Sequence, residues 1–133
     1  MPGGIAYIDS SAFLKLLVAE KESRALRGRL REWPDRAASA LLRTEAVRAL
    51  RRSGNEQQIA NARRLFKTLH LIRIDEPLLD QAGELGPTTL RSLDAIHVAA
   101  ALSVGADLEV AITYDERQRE AFESAGIEVL GPT

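Results

Sequence analysis

Cysteine is absent from the 133-residue sequence, and histidine occurs only at His70 and His97. The first absence excludes disulfide bonds, thiolate nucleophiles and cysteine-ligated zinc or iron, and the scarcity of histidine argues against a histidine-based metal site. Aromatic residues make up 5% of the chain, which is too few to predict a surface where nucleic-acid bases stack. The side chains left for chemistry are mainly carboxylates, hydroxyls and arginines.

Long apolar runs are also missing. No segment approaches the roughly 20 apolar residues that a membrane-spanning helix needs, and Met1-Pro2-Gly3-Gly4 does not resemble the start of a signal peptide. We therefore expect a cytoplasmic protein without a membrane partner. A chain of this length, with 45% apolar and 28% charged residues, suits one compact domain over residues 1–133.

The net charge of −1 hides an uneven distribution along the chain. Residues 21–73 carry fourteen Lys or Arg against five Asp or Glu, whereas residues 74–133 carry three against twelve. Fifteen of the eighteen basic residues are arginine, the side chain best suited to bidentate contact with phosphate or carboxylate. The basic half could bind nucleic acid or an acidic protein, or it could simply form solvated helices.

Apolar runs of strand length alternate with segments of helical periodicity. The strands are predicted at residues 5–8, 36–39, 70–74, 109–113 and 127–130. The helices are predicted at residues 12–20, 21–32, 41–52, 57–69, 76–85, 93–104 and 115–124. Such alternation is typical of parallel βα units. We therefore expect a three-layer α/β/α fold, with helices on both faces of a central, mainly parallel sheet of four to five strands.

Two aspartates follow predicted strands. Asp9 ends the first strand in Tyr7-Ile8-Asp9-Ser10-Ser11, and Asp115 follows Ile112-Thr113-Tyr114 in the same way. In open α/β sheets ligands bind at the carboxyl ends of the strands, so both acids are candidate site residues if their strands are neighbours. Each could instead serve only as the cap of the helix that follows it.

Asp94 lies in the first turn of the predicted helix 93–104, which is otherwise almost wholly apolar. If Ser92 caps this helix, the helix dipole favours a negative charge at Asp94. An unpaired carboxylate is nevertheless costly in an apolar segment. Asp94 should therefore either serve a site or pair with an arginine such as Arg91.

Glu45 lies one turn into the predicted helix 41–52, between Leu42 and Ala46 on an otherwise apolar face. A site role would require the fold to bring it to the strand ends. The alternative is a surface glutamate that pairs with Arg48 or Arg52.

Four carboxylates gathered at one sheet edge would repel one another, so something positive must lie among them. Because thiolates are absent and imidazoles are scarce, the ligands would be oxygens, which suit Mg²⁺ or Mn²⁺. His97 lies one turn after Asp94 and could join such a site. Its apolar neighbours Ile96 and Val98 favour a hydrogen-bonded core histidine instead.

Four segments resemble motifs of the PIN-domain ribonucleases, especially the toxins of VapBC-type bacterial toxin–antitoxin pairs. They follow the family's order over nearly the whole chain: Tyr7-Ile8-Asp9-Ser10-Ser11 with Leu14; Ser39 through Arg43-Thr44-Glu45 with Leu50; Leu93-Asp94-Ala95-Ile96-His97-Val98-Ala99-Ala100-Ala101; and Thr113-Tyr114-Asp115. In this resemblance the acidic quartet of the family falls on Asp9, Glu45, Asp94 and Asp115. Ser10 and Thr113 match hydroxyl residues that commonly stand beside the first and last acids.

The resemblance implies a PIN-like domain that hydrolyses RNA phosphodiester bonds with a water activated by Mg²⁺ or Mn²⁺. Asp9 and Asp94 would be the principal ligands, while Glu45 and Asp115 would complete the shell through waters or bind a second ion. Arg91 and arginines of the basic half could hold the RNA backbone. The resemblance also implies a cognate antitoxin that blocks the acidic pocket, a homodimer and a toxin–antitoxin hetero-oligomer.

Other classes of protein share parts of this pattern. A receiver-type phospho-acceptor domain needs an acidic pair after the first strand, and a haloacid-dehalogenase-like phosphatase needs a second Asp two residues after the first. Ser10 and Ser11 stand at those positions instead. The strongest alternative is a non-enzymatic binding module that uses the arginine-rich helices, in which all four acids are caps and ion pairs.

Overall fold

A sheet of five strands forms the centre of the molecule, of which the computed structural model describes residues 4–133. The strands are β1 (Ile5–Ile8), β2 (Arg36–Ser39), β3 (His70–Ile72), β4 (Leu108–Ile112) and β5 (Val129–Leu130). Every pairing is parallel, and the order across the sheet is β3-β2-β1-β4-β5. The prediction of a mainly parallel sheet of four to five strands is confirmed. The expectation drawn from Met1-Pro2-Gly3 falls outside the described residues.

Seven α-helices accompany these strands within residues 4–133. They are α1 (Ser10–Lys15), α2 (Ser23–Leu30), α3 (Leu42–Arg52), α4 (Ile59–Phe66), α5 (Glu76–Glu84), α6 (Ser92–Leu102) and α7 (Glu116–Ser124). Each predicted helix is present, with shifted ends. The predicted helix 57–69 begins as a 3₁₀ turn, Glu56–Gln58, before α4. None of these helices has the length and apolarity needed to cross a membrane.

The strands alternate between two cores on opposite faces of the sheet. Ala6 and Ile8 of β1 face the core formed with α1, α2, α3 and α4, whereas Tyr7 faces the core formed with α5, α6 and α7. Strand β4 shows the same alternation. Both faces of the central strand are therefore covered, as is usual for parallel sheets, and the three-layer prediction is confirmed.

The carboxyl ends of β1 and β4 lie side by side, because the register pairs their last residues. Asp9 and residues 113–115 therefore leave the sheet at the same edge. Two helices that begin here bring further acids, since Glu45 lies in the first turn of α3 and Asp94 in the first turn of α6. Each of the four predicted acids thus occupies the cap or the first turn of a helix, where the backbone dipoles favour negative charge.

Helix α6 packs closely because its buried side chains are small. Ala95, Ala99, Ala100 and Ala101 are at most 5% exposed, and the helix contacts β2, β4, α5 and α7. Small side chains let a helix approach its neighbours closely, and such interiors tolerate little added volume. This packing fixes the position of Asp94 at the start of the same helix.

Replacing Ala99 by Leu should therefore destabilise the protein by about 1–3 kcal/mol, because the added volume overpacks the core between α6 and the sheet. Urea denaturation measures the change. The control Leu79→Ala removes a side chain that is 44% exposed, and it should cost less than about 1 kcal/mol. An Ala99→Leu variant as stable as the wild type would contradict the close packing of α6.

Candidate metal and active site

A cavity of about 270 Å³ lies beyond the carboxyl ends of β1 and β4 and takes in all four predicted acids. We call it the acidic cavity; its lining residues are Asp9, Ser10, Ser11, Glu45, Arg91, Leu93, Asp94, His97, Asp115, Arg117 and Gln118. A larger cavity of about 490 Å³ lies between α5 and α6, but Glu84 is its one acidic lining residue. The acidic cavity is therefore the place where the predicted ligands converge.

Asp9 is 5% exposed and is held by three hydrogen bonds. Its Oδ1 accepts from the Ser11 hydroxyl at 2.7 Å and from the Ala12 N–H at 3.0 Å, and its Oδ2 accepts from the Thr113 hydroxyl. Burial raises the pKa of Asp9, and these three donors counteract part of that effect. Asp9 therefore both caps α1 and lines the acidic cavity.

The first helix begins earlier than predicted because of this cap. Ser10 is its first residue and lines the acidic cavity, and the helix ends at Lys15 rather than at residue 20. The Ser11 hydroxyl donates to Asp9. It also accepts a hydrogen bond from the Tyr114 N–H at 2.9 Å, so one hydroxyl joins the end of β1 to the segment after β4.

Two carboxylate oxygens in the acidic cavity are buried without a hydrogen-bond partner among residues 4–133: Asp94 Oδ2 and Glu45 Oε1. Unpartnered polar atoms of this kind are rare in folded proteins and often mark the place of an ion or water. Burial raises the pKa of Asp94; the charge of Arg117 opposes this rise, and that of Asp115 adds to it. A cation at these oxygens would relieve the burial cost of both carboxylates.

The structure corrects the expected surroundings of Asp94. Ser92 is the first residue of α6 rather than its cap; the cap is Arg91, and its side chain makes no capping hydrogen bond. The alternative ion pair between Asp94 and Arg91 is not formed in the part of the chain that the structure describes. Asp94 therefore has neither of the structural partners that the sequence offered it.

Glu45 also lacks its expected partners, because it contacts His97 instead of Arg48 or Arg52. Nε2 of His97 lies 3.2 Å from each Glu45 oxygen, and the geometry of a hydrogen bond is met at Oε2 alone. The other ring nitrogen, Nδ1, lies 2.9 Å from the hydroxyl of Tyr7. His97 is thus the hydrogen-bonded, buried histidine that its apolar neighbours favoured, although it also lines the acidic cavity.

Asp115 is the exposed member of the four acids. It caps α7 by accepting from the Gln118 N–H at 3.1 Å, and its own N–H donates to the Thr113 hydroxyl at 3.0 Å. Thr113 is itself buried and donates to Asp9. Thr113 therefore contacts both the first and the last of the four acids.

Within residues 4–133 no three Asp, Glu or His side chains are spaced to hold one ion directly. The donor set nevertheless suits a hard divalent cation, because the four acids share one cavity and two of their oxygens are buried without partners. Mg²⁺ characteristically keeps several waters and contacts one or two carboxylates. The residues present therefore fit an ion bound partly through water.

Two arginines, Arg91 and Arg117, line the acidic cavity and also a neighbouring cavity of about 270 Å³. Neither arginine forms an ion pair with an Asp or Glu within the described range 4–133. Arg91 was predicted as an auxiliary residue, whereas Arg117 was missed. Its position two residues after Asp115 was the available signal, because it places Arg117 in the first turn of the helix that Asp115 caps.

Comparisons with known proteins agree with this arrangement. The family model of the PIN domain matches residues 6–123. Ribonuclease VapC46 of Mycobacterium tuberculosis is 47% identical over 127 residues, which cover 96% of this chain and 97% of that protein. The chain therefore belongs to the PIN-domain family and, within it, to the VapC ribonuclease toxins of type II toxin–antitoxin systems. These ribonucleases are generally metal-dependent.

Solved structures share the fold. A toxin–antitoxin complex from Klebsiella pneumoniae has a TM-score of 0.71 at 21% identity, covering 96% of this chain and 98% of that chain. VapC20 of Mycobacterium tuberculosis, a sarcin-ricin loop cleaving toxin, also has a TM-score of 0.71, at 19% identity. The match covers 96% of this chain and 99% of that chain. The PIN-like fold predicted from the four segments is confirmed.

The unpartnered oxygen of Asp94 leads to a stability prediction. In EDTA at pH 7, Asp94→Asn should melt higher than the wild type, by roughly a few degrees, because the substitution removes a buried charge. The gain should shrink as the pH falls toward 3.8, the ordinary pKa of Asp, since protonation then neutralises the wild-type side chain. Thermal denaturation at several pH values measures both effects. A variant that melts lower than the wild type at pH 7 would contradict the burial cost.

Proposed function

We propose that this ribonuclease toxin cleaves RNA at the acidic cavity by Mg²⁺- or Mn²⁺-dependent hydrolysis of a phosphodiester bond. One observation supports the proposal above all: four acids from four separate helix starts line one cavity, and two of their oxygens are buried without partners. Helix caps account for Asp9 and Asp115. Within residues 4–133 Asp94 has no ion pair, and Glu45 contacts His97 but keeps one buried oxygen without a hydrogen-bond partner. The non-enzymatic binding module is therefore the weaker interpretation.

Asp9 and Asp94 would be the principal metal ligands, because burial raises the pKa of both carboxyls and a cation would favour their charged forms. Glu45 and Asp115 would complete the shell through waters or hold a second ion. When bound, the metal supplies positive charge at the scissile phosphate and lowers the pKa of a coordinated water. Ser11 and Thr113 contribute by fixing the Asp9 carboxylate with their hydroxyls.

Arg91 and Arg117 would hold the RNA backbone at the mouth of the acidic cavity. An acidic cavity repels phosphate, so the substrate needs cations beside the carboxylates as well as among them. Both arginines also line the adjoining cavity, so an RNA strand could continue past the cleaved bond. Arg48 and Arg52, on the same helix as Glu45, extend the basic surface away from the site.

A cognate antitoxin would complete the system by covering the acidic cavity. The solved Klebsiella pneumoniae neighbour is a toxin–antitoxin complex, and this fold similarity supports a hetero-oligomer here. Homodimer formation and action in the cytoplasm belong to the same proposal. RNA rather than an acidic protein is the partner that the arginines beside the acidic cavity favour.

RNA cleavage by the purified protein should require Mg²⁺ or Mn²⁺, and EDTA should abolish it. Asp94→Asn should reduce the cleavage rate by at least about 100-fold, because it removes a principal metal ligand. The control Asp80→Asn, at an exposed acid of α5, should leave the rate unchanged. Full activity in a folded Asp94→Asn variant would disprove the assignment of the site.

Metal binding can be tested without RNA. Mg²⁺ should raise the melting temperature of the wild type, and it should do so much less in Asp9→Asn and Asp94→Asn, because binding to the folded state alone stabilises it. The absence of any shift in the wild type would favour the non-enzymatic module.

Arg117→Ala should raise KM several-fold with a smaller change in kcat, and it should lower the salt dependence of RNA binding by about one unit of log K against log salt. Arg119→Ala is the matched control, because Arg119 lies on the same helix but pairs with Glu116 and Glu123. Kinetics on a short RNA at several salt concentrations measure both variants. Equal effects of the two substitutions would show that only net charge matters.

A further inference from the structure

A buried pair of residues, Tyr7 of β1 and His97 of α6, is connected by hydrogen bonds to the Glu45 carboxylate of α3. Nε2 of His97 lies 3.2 Å from that carboxylate, and Nδ1 lies 2.9 Å from the Tyr7 hydroxyl. Tyr7 is 0% exposed and His97 is 5% exposed. Neither residue has a part in the metal-dependent hydrolysis described above.

We infer that Tyr7 and His97 are positioning residues that hold the Glu45 carboxylate in the acidic cavity, in the orientation required for binding a divalent cation. The inference rests on the proposed function, because it assigns the two residues a task in the same site. It concerns the orientation of Glu45 and gives neither Tyr7 nor His97 direct contact with the metal.

The direction of each hydrogen bond follows from the groups involved. A carboxylate can only accept, so Nε2 of His97 must carry the proton. In the neutral ring Nδ1 is then an acceptor, and the Tyr7 hydroxyl donates to it. The Tyr7 hydroxyl is the donor of this pair, because the unprotonated Nδ1 can only accept.

The contact joins the two helical layers at the edge of the sheet. Glu45 lies on α3, whereas His97 lies on α6, one turn after Asp94. A free glutamate side chain has several rotamers, and ordering it costs entropy. Arg48, one turn further along α3, would draw Glu45 toward solvent if His97 did not hold it. The bond to Oε2 leaves Oε1 as an unused acceptor inside the cavity.

Two substitutions of His97 separate positioning from packing. In His97→Gln the amide nitrogen can take the place of Nε2 and donate to Glu45. In His97→Asn the shorter amide reaches only the place of Nδ1, so Tyr7 keeps a partner and Glu45 loses its donor. We expect His97→Asn to bind Mg²⁺ about 10–100-fold more weakly than the wild type. His97→Gln keeps the donor to Glu45 but leaves Tyr7 without its partner, so its loss of affinity should be only several-fold, like that of Tyr7→Phe. Calorimetric titration of the metal-free protein measures this, with circular dichroism as the check on folding.

A double-mutant cycle identifies Glu45 as the group that His97 acts on. In a Glu45→Gln background, His97→Asn should cause no further loss of Mg²⁺ affinity, because the carboxylate that it positions is gone. If Glu45→Gln and His97→Asn instead lower the Mg²⁺ affinity independently, so that their effects add in the double variant, the inference is overturned.

The tautomer of the His97 ring gives a spectroscopic test of the inference. A histidine with only a structural role would not need to adopt the Nε2–H form. The sequence has only two histidines, and His70 is exposed, so the ring ¹⁵N signals of His97 can be assigned by NMR. We expect the Nε2–H form in the metal-free wild type and a change in the His97 signals in Tyr7→Phe, together with several-fold weaker Mg²⁺ binding. If His97→Asn does not fold, Tyr7→Phe decides: unchanged signals and affinity overturn the inference.

The outcomes distinguish this inference from the proposed function. Equal Mg²⁺ affinity in the Gln and Asn variants would overturn the positioning role while leaving the metal site intact. A wild type that binds no Mg²⁺ would overturn both. Weak binding in the Asn variant with recovery in the Gln variant supports both.

Discussion

The hydrogen bonds to Asp9 are the interactions on which the acidic cavity depends. Asp9 ends the central strand, and its donors come from both sides: Ser11 and Ala12 from α1, and Thr113 from the segment after β4. Because Thr113 also accepts from the backbone of Asp115, the same network fixes where α7 starts. The first and last acids are therefore positioned together, although more than a hundred residues separate them in the chain.

This arrangement is electrostatically unfavourable for the protein alone. Burial raises the pKa of Asp9 and Asp94, so their ionised forms reduce the stability of the fold. The helix starts offset part of that cost through their dipoles, but Asp94 Oδ2 and Glu45 Oε1 find no hydrogen-bond partner among residues 4–133. Proteins retain local arrangements of this kind mainly at functional sites, where a ligand supplies the missing interaction. The α6 packing that fixes Asp94 prevents the acid from relaxing away.

Sequence patterns predicted the parts of the site that depend on local order. The pattern of an apolar strand, then an aspartate, then a helix drew attention to Asp9 and Asp115. The alternation of strands and helices predicted the three-layer fold. Contacts between distant elements were not predictable in this way. For Glu45 the sequence offered a site role or, alternatively, an ion pair along its own helix, and it gave no sign of the contact with His97 of the opposite layer. The position of Arg117 two residues after Asp115 placed it in the first turn of α7, but the sequence did not show that this turn lies beside Asp94. The observed helix ends differ from the predicted ones where a capping side chain or a 3₁₀ turn, rather than the apolar periodicity, sets the boundary, as at the starts of α1 and α4.

The separation of charge along the chain survives folding. Among residues 4–133, no Lys or Arg of the basic segment 21–73 pairs with an Asp or Glu of residues 74–133, and the contact between the Glu45 carboxylate and His97 is a hydrogen bond from the imidazole. Apart from Arg29, which pairs with Glu32, the arginines of that segment form no ion pair among residues 4–133, so their charge is available to a polyanion. Asp94 and Asp115 likewise form no ion pair there, so their charge is available to a cation. A phosphate that approaches the acidic cavity is repelled until the cation is present. Metal binding should thus precede productive RNA binding, and the arginines alone would hold RNA without bringing a phosphate to the acids.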